Sequence, residues 1–367
     1  MKKLFMAALA PCVFAWAAEP TGTEWKEPEN LSFGREERRA AFSSFDTLEN
    51  ALKILPEFSE RTISLDSDTA WRFTWSPDPA SRPVGFEKPS YDVSAWETIK
   101  VPCSWQAYGA NGKGGWGTPI YTNQTYPFKR DQPDVMGEPP KDWTAYSARN
   151  PVGSYRRDFD VPEKWNGQEI FLKFDAVDSF FYLWVNGEYV GFSKDSRNPA
   201  EFNVTKFVKP GKNVVALEVY RYSDGSYLED QDMFRLSGIA RSTWLLARPR
   251  NHIRDFTVTP RPVDKNNLHG DWELEVHYSG SQRWLLTSNS TWMLASLYTM
   301  DGEPINIDGS RLCMCLNEHD SGVGGVGVIR VHSPKLWSAE EPNCYKLVLN
   351  TLYEYVSCIV EIGRAHV

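Results

Sequence analysis

Histidine is absent from the first two-thirds of this 367-residue chain, and all six histidines lie from His252 onward. A histidine-based metal site or catalytic triad therefore cannot be built from that part alone. Cysteine is also scarce. Once Cys12 is set aside as part of an apolar leader, Cys103, Cys313, Cys315, Cys344 and Cys358 are odd in number and lack framework spacing, so no structural disulfide is expected. Cys313-Met314-Cys315 has no second cysteine pair to complete a soft-metal site. There is no long basic run and the formal net charge is −8, which argues against nucleic acid as a partner. Beyond residue 18 no stretch has the apolar length of a membrane span.

What is present indicates a globular chain. A hydrophobic content of 41% with 14% aromatics supports a sizeable core, and the length allows two or three domains. Fifteen tryptophans suit both sandwich cores and stacking against sugar rings, and the core accounts for most of them. Residues 1–18 carry Lys2 and Lys3, an apolar run from Leu4 and then Ala15-Trp16-Ala17, the pattern of a secretory signal peptide. The expectation is a soluble exported protein, secreted or periplasmic. Residues 24–61 are polar, punctuated by proline and end in a short helical pattern, which reads as an extended N-terminal arm.

From residue 62 the pattern is one of short strands. Trp71, Phe73 and Trp75 alternate at period two, placing three aromatics on one face. Strands are expected at 153–157, 170–174, 180–185, 189–192, 204–208 and 214–220, with Asn186-Gly187 as a two-residue hairpin turn. Many short strands with little helix predict an all-β sandwich over 62–250. A second strand-rich unit follows at 251–360, with strands at 256–259, 272–278 and 328–331.

Two stretches carry candidate chemistry. Residues 224–238, DGSYLEDQDMFRLSG, set Glu229, Asp230 and Asp232 within four residues, beside Tyr227, Phe234 and Arg235. Acids this close repel one another unless a cation, an arginine or a hydroxyl-rich ligand holds them, although a solvated acidic loop has the same spacing. A calcium loop fits poorly, because the D-x-[DN]-x-[DN]-G order is absent. In 118–128, TPIYTNQTYPF, alternation puts Asn123 on the strand face of Tyr121. The amide can donate to and accept from a sugar hydroxyl, or cap a turn. Asn123-Gln124-Thr125 is also a glycosylation sequon. The glycine-rich 112–117 lacks the lysine-serine ending of a phosphate cradle.

These two stretches, with SYDVSAWETIKVPCSWQAYG at 90–109, resemble the sugar-binding domain of the β-galactosidases of glycoside hydrolase family 2. The resemblance implies a jelly-roll β-sandwich of galactose-binding type, then an immunoglobulin-like β-sandwich that ends near PKLWSAEEPNCYKL, 334–347, and is partly degenerate over 279–327. It implies that Asp232 touches the galactosyl group and binds sodium, and that Asn123 projects into the same subsite. It further implies a parent enzyme, a homo-oligomer whose arm supports subunit contacts, that removes terminal non-reducing β-D-galactose with retention. Its two glutamates and its magnesium would lie in a catalytic barrel missing here.

Asn317-Glu318-His319 is not taken as the catalytic acid, since it stands in a sandwich domain and not at the end of a barrel strand. Residues 361–367, EIGRAHV, resemble the translation of a sequencing adapter and are expected to be an artefactual tail. The fragment alone is expected not to hydrolyse glycosides. A stand-alone carbohydrate-binding module is the alternative reading, since jelly rolls also serve as lectin-like domains.

Overall fold

The protein is described by a computed structural model over residues 19–110, 116–138, 149–229, 232–281, 292–313, 315–316 and 323–363. The leader at 1–18, Gly112 to Gly115 of the glycine-rich loop, Asp230, Met314, Asn317-Glu318-His319 and the last four residues lie outside the described residues.

Alternation builds the first sandwich. In the strand Ser67–Ser76, Trp71 and Phe73 are buried and Trp75 packs at the margin of the same core. That strand belongs to a seven-stranded antiparallel sheet in the order Ser32–Phe33, Glu188–Ser193, Phe180–Val185, Gly211–Tyr220, Val152–Val161, Ser67–Ser76, Glu97–Val101. A four-stranded sheet, Ala200–Asn203, Glu169–Phe174, Thr243–Arg248 and Thr62–Ser64, supplies the opposing layer. Leu172, Phe174, Leu183, Leu217 and Leu245 fill the space between the sheets. The strand Phe180–Val185 is buried at all six positions instead of alternating. Its outer face lies under a second aromatic cluster that includes Phe180, Tyr182, Trp184 and Tyr220 and takes in Trp25 from the arm. Trp25 stacks on Tyr220 with ring centroids 5.6 Å apart.

The turn at Asn186-Gly187 is present, with φ of 54° and 87°, as a primed hairpin turn requires. Residues 204–208, in contrast, form a turn and not the expected strand. Asn203 Oδ1 accepts from the backbone N–H of Thr205 at 3.1 Å, and this side-chain bond ends the strand Ala200–Asn203. Val204 and Phe207 are apolar and buried, but they enter the core from the turn.

In the second unit, Ile253–Pro262, Trp272–Gly280, Val323–Val331 and Ile307–Asp308 form one sheet, to which Cys315–Leu316 pairs. Ser44–Phe45, Tyr355–Val360, Tyr345–Asn350, Trp292–Thr299 and Pro304–Ile305 form the other, with Arg311–Cys313 alongside. Leu274, Val276, Met293, Leu297, Leu347 and Val356 make its core. The architecture is therefore all-β, with two sandwiches and, among the described residues, short helices only. The arm adds one strand to a sheet of each unit, Ser32–Phe33 in the first and Ser44–Phe45 in the second. Among the described residues no helix is long and apolar enough to cross a membrane.

Candidate functional site: a two-stranded ribbon on the first sandwich

The two chemical stretches meet. Ile120–Thr122, composed of residues suited to a strand, and Met233–Arg235, centred on Phe234, pair antiparallel as a separate two-stranded sheet. The register sets Met233 opposite Thr122, Phe234 opposite Tyr121 and Arg235 opposite Ile120. Just past this ladder, Asn123 follows Thr122 and Asp232 precedes Met233, each in a bend, so Asn123 stands beyond the strand and not within it as expected. Directly opposed residues share a face and successive residues do not, so the ribbon has an outer face of Tyr121 and Phe234, with Asp232 bonded to Tyr121 and Asn123 exposed at its end.

Exposure agrees with that division. Tyr121 is 53% and Phe234 57% exposed, Asn123 and Asp232 are exposed, and Thr122 and Arg235 are buried beneath. The rings of Tyr121 and Phe234 meet edge to face with centroids 5.7 Å apart. The Tyr121 hydroxyl donates to Asp232 Oδ1, and this hydrogen bond raises the phenol above its ordinary pKa.

The acidic run is divided between outside and inside. Asp232 faces solvent, whereas the Glu229 carboxylate turns inward and accepts from the Ser196 backbone N–H at 2.9 Å and the Ser196 hydroxyl at 2.7 Å. Asp224 forms a buried ion pair with Lys194 at 2.8 Å. Glu229 therefore fastens the loop and Asp232 faces solvent, so these two of the three closely spaced acids do not share a ligand. Tyr227 also points inward, its hydroxyl donating to the Asp134 carbonyl at 2.6 Å.

Under the ribbon lies a charged layer that sequence reasoning missed. Arg235 Nε donates to Thr122 Oγ1 and Nη1 to the Glu229 carbonyl, each at 2.9 Å. Arg221 Nη2 donates to the carbonyls of Thr118 at 2.9 Å and Arg235 at 3.0 Å. Asp178, paired with Arg197 at 3.3 Å, shares with Arg221, Arg235 and Glu229 a cavity of about 20 Å³. Burial first, and then Glu229, push the Asp178 carboxyl up to about 7 against the pull of the arginines. A larger groove of about 670 Å³ runs between the arm and the loop, along Pro28, Leu31, Pro133 and Leu228. Charges in its wall pair with each other, Lys194 with Asp224 and Arg38 with Asp195.

Among the described residues no group of three or more His, Cys, Asp or Glu side chains could hold a metal. Asp232 and Asn123 offer one carboxylate and one amide oxygen. That set fits a hard, weakly held cation whose remaining oxygens come from elsewhere, and it does not fit a protein cage.

Fold and ribbon together define a tandem β-sandwich protein with an exposed polar and aromatic face on its first sandwich. The chain belongs to glycosyl hydrolases family 2, whose sugar binding domain matches residues 64–249, about half of its length. It is similar to a β-galactosidase of Priestia megaterium, 35% identical over 339 residues, which are 92% of this chain and 31% of that protein. The chain thus spans about a third of the length of this curated relative. Among solved structures, a glycosyl hydrolase family 2 member from Bacteroides cellulosilyticus aligns with a TM-score of 0.58 at 20% identity, over 83% of this chain and 36% of that one. A β-glucuronidase of Ruminococcus gnavus aligns with a TM-score of 0.55 at 15% identity, over 82% and 43%. These two likenesses show the fold.

Proposed function

We propose that this chain is the N-terminal, sugar-binding portion of an exported retaining β-galactosidase, and that Asn123 and Asp232 hold the galactosyl ring. The observation that carries the reading is the outer face of the ribbon. A carboxylate there can accept from two sugar hydroxyls, the amide at its end can both donate and accept, and the exposed rings beside them offer apolar surface to a pyranose. The 35% identity to a β-galactosidase favours galactose over the other sugars of the family. Charge points the same way. The carboxylate of a glucuronide brought to Asp232 would meet a like charge.

Sodium, at Asp232, would be completed by a sugar hydroxyl and by oxygens from outside this chain. Magnesium and the two glutamates of a retaining site, about 5 Å apart, are assigned to a catalytic barrel outside these residues. The chain by itself then binds a galactoside weakly and does not cleave it.

The test is a titration of the chain with methyl β-D-galactoside in sodium buffer. Asn123→Ala and Asp232→Asn should each weaken binding about tenfold, the equivalent of about one charge-assisted hydrogen bond. Methyl β-D-glucuronide should bind more weakly than the galactoside. Unchanged affinity in both variants would refute the assignment of the two residues. Turnover of an aryl β-galactoside above a blank preparation would refute the claim that the chain does not cleave.

A further inference from the structure

A two-stranded ribbon of three residue pairs is too small to hold its own register in water. The relative position of Asn123 and Asp232 depends on that register, since slipping by one residue turns the outer face inward. Something beneath the ribbon must therefore fix it.

We propose that Arg235 is a positioning residue for the sugar contacts, its guanidinium clamping the two strand ends that adjoin Asn123 and Asp232. The inference rests on the galactoside reading for its functional consequence, but its geometry stands independently. Arg235 is 9% exposed and lies opposite Ile120, yet its Nε reaches diagonally to the hydroxyl of Thr122, the residue before Asn123. Its Nη1 holds the carbonyl of Glu229, three residues before Asp232. One rigid, planar group thus joins the strand that precedes one contact to the loop that precedes the other. The Glu229 end is itself fixed, because Ser196 holds the carboxylate of that residue by two hydrogen bonds. At the opposite end of the ribbon Arg221 spans the Thr118 and Arg235 carbonyls, so the ladder is bound across both ends. A lysine at 235 would keep the charge but could not make both bonds in this fork geometry.

The proposal predicts that Arg235→Lys and Thr122→Val each weaken methyl β-D-galactoside binding about tenfold, the equivalent of about one charge-assisted hydrogen bond to the sugar. Thr122→Ser, which retains the hydroxyl, should bind as the wild type does. Because Thr122→Val removes one of the bonds that Arg235→Lys already disturbs, the double variant should lose little more than Arg235→Lys alone. A second readout needs no sugar. Amide hydrogen exchange over 120–122 and 233–235 should quicken in Arg235→Lys and Thr122→Val, and not in Asn123→Ala.

Unchanged exchange in Arg235→Lys overturns the clamp. Additive losses in the double variant also overturn it, since they would mean that the two residues act separately. If exchange quickens as expected while the wild-type chain shows no galactoside binding, the clamp stands and the galactoside reading fails.

Discussion

Asp178 shows how a single side chain connects the ribbon to the stability of the fold. Its carboxyl is pushed up to about 7, chiefly by burial and then by Glu229, and is opposed by Arg197, Arg235 and Arg221. In the unfolded chain it returns to the ordinary carboxylate range near 4. Between those limits the folded state binds a proton that the unfolded state has released, so stability falls as pH rises from about 4 to about 7 and is level above. Urea midpoints for the wild type and Asp178→Asn across pH 4.5 to 8 measure this. The variant should lose the part of the downward slope that the wild type shows in that window, and equal slopes would contradict the assignment. Sequence nominated Asn123 and Asp232 through the family resemblance, while their donors and acceptors alone left a turn cap and a solvated acidic loop as open as a sugar contact. It could not nominate Asp178 or Ser196, whose roles exist only where distant segments meet.

At the level of elements, signals that are local in the chain were legible. Asn186-Gly187 states its own turn, because few other residue pairs accept positive φ at both positions. The 204–208 segment misled because Val204 and Phe207 are buried, and burial does not distinguish a strand from a turn packed on the core. The ribbon was only half legible: 120–122 alternates visibly, whereas 233–235 lies in a stretch that reads as an acidic loop, and the two are about 111 residues apart, the separation of Tyr121 from Asp232. The arm shows the same dependence on distant contact. A Cβ on Gly191 would stand 2.0 Å from the Phe33 carbonyl oxygen, and one on Gly34 would stand 2.2 Å from that of Val190. The paired strands Ser32–Phe33 and Glu188–Ser193 can approach only because both are glycines. Gly191→Ala should therefore release the arm strand while the sandwich core remains, and limited proteolysis should cut faster within 27–40 than in the wild type. Unchanged cleavage would show that the arm is held elsewhere.

For the whole molecule, one buried carboxylate joins the parts. Glu354 accepts from the arm at Ser44 and from the backbone N–H of Ile253 at 2.6 Å, and pairs with Arg248 of the first sandwich at 3.4 Å. Arm and both sandwiches meet at this residue. The all-β class was readable from strand spacing because a period of two is a property of the chain itself. The pairing of 120–122 with 233–235 was not, since it joins two stretches distant in the chain. The most direct test of the account is an amide chemical-shift titration of the chain with methyl β-D-galactoside in sodium buffer, repeated with Asp232→Asn. Perturbations concentrated at 121–123 and 232–234, and lost in the variant, are the predicted result. Perturbations confined to the second sandwich or to the groove along Pro28 and Leu228, or none at saturating sugar, would contradict the claim that the ribbon is the sugar face.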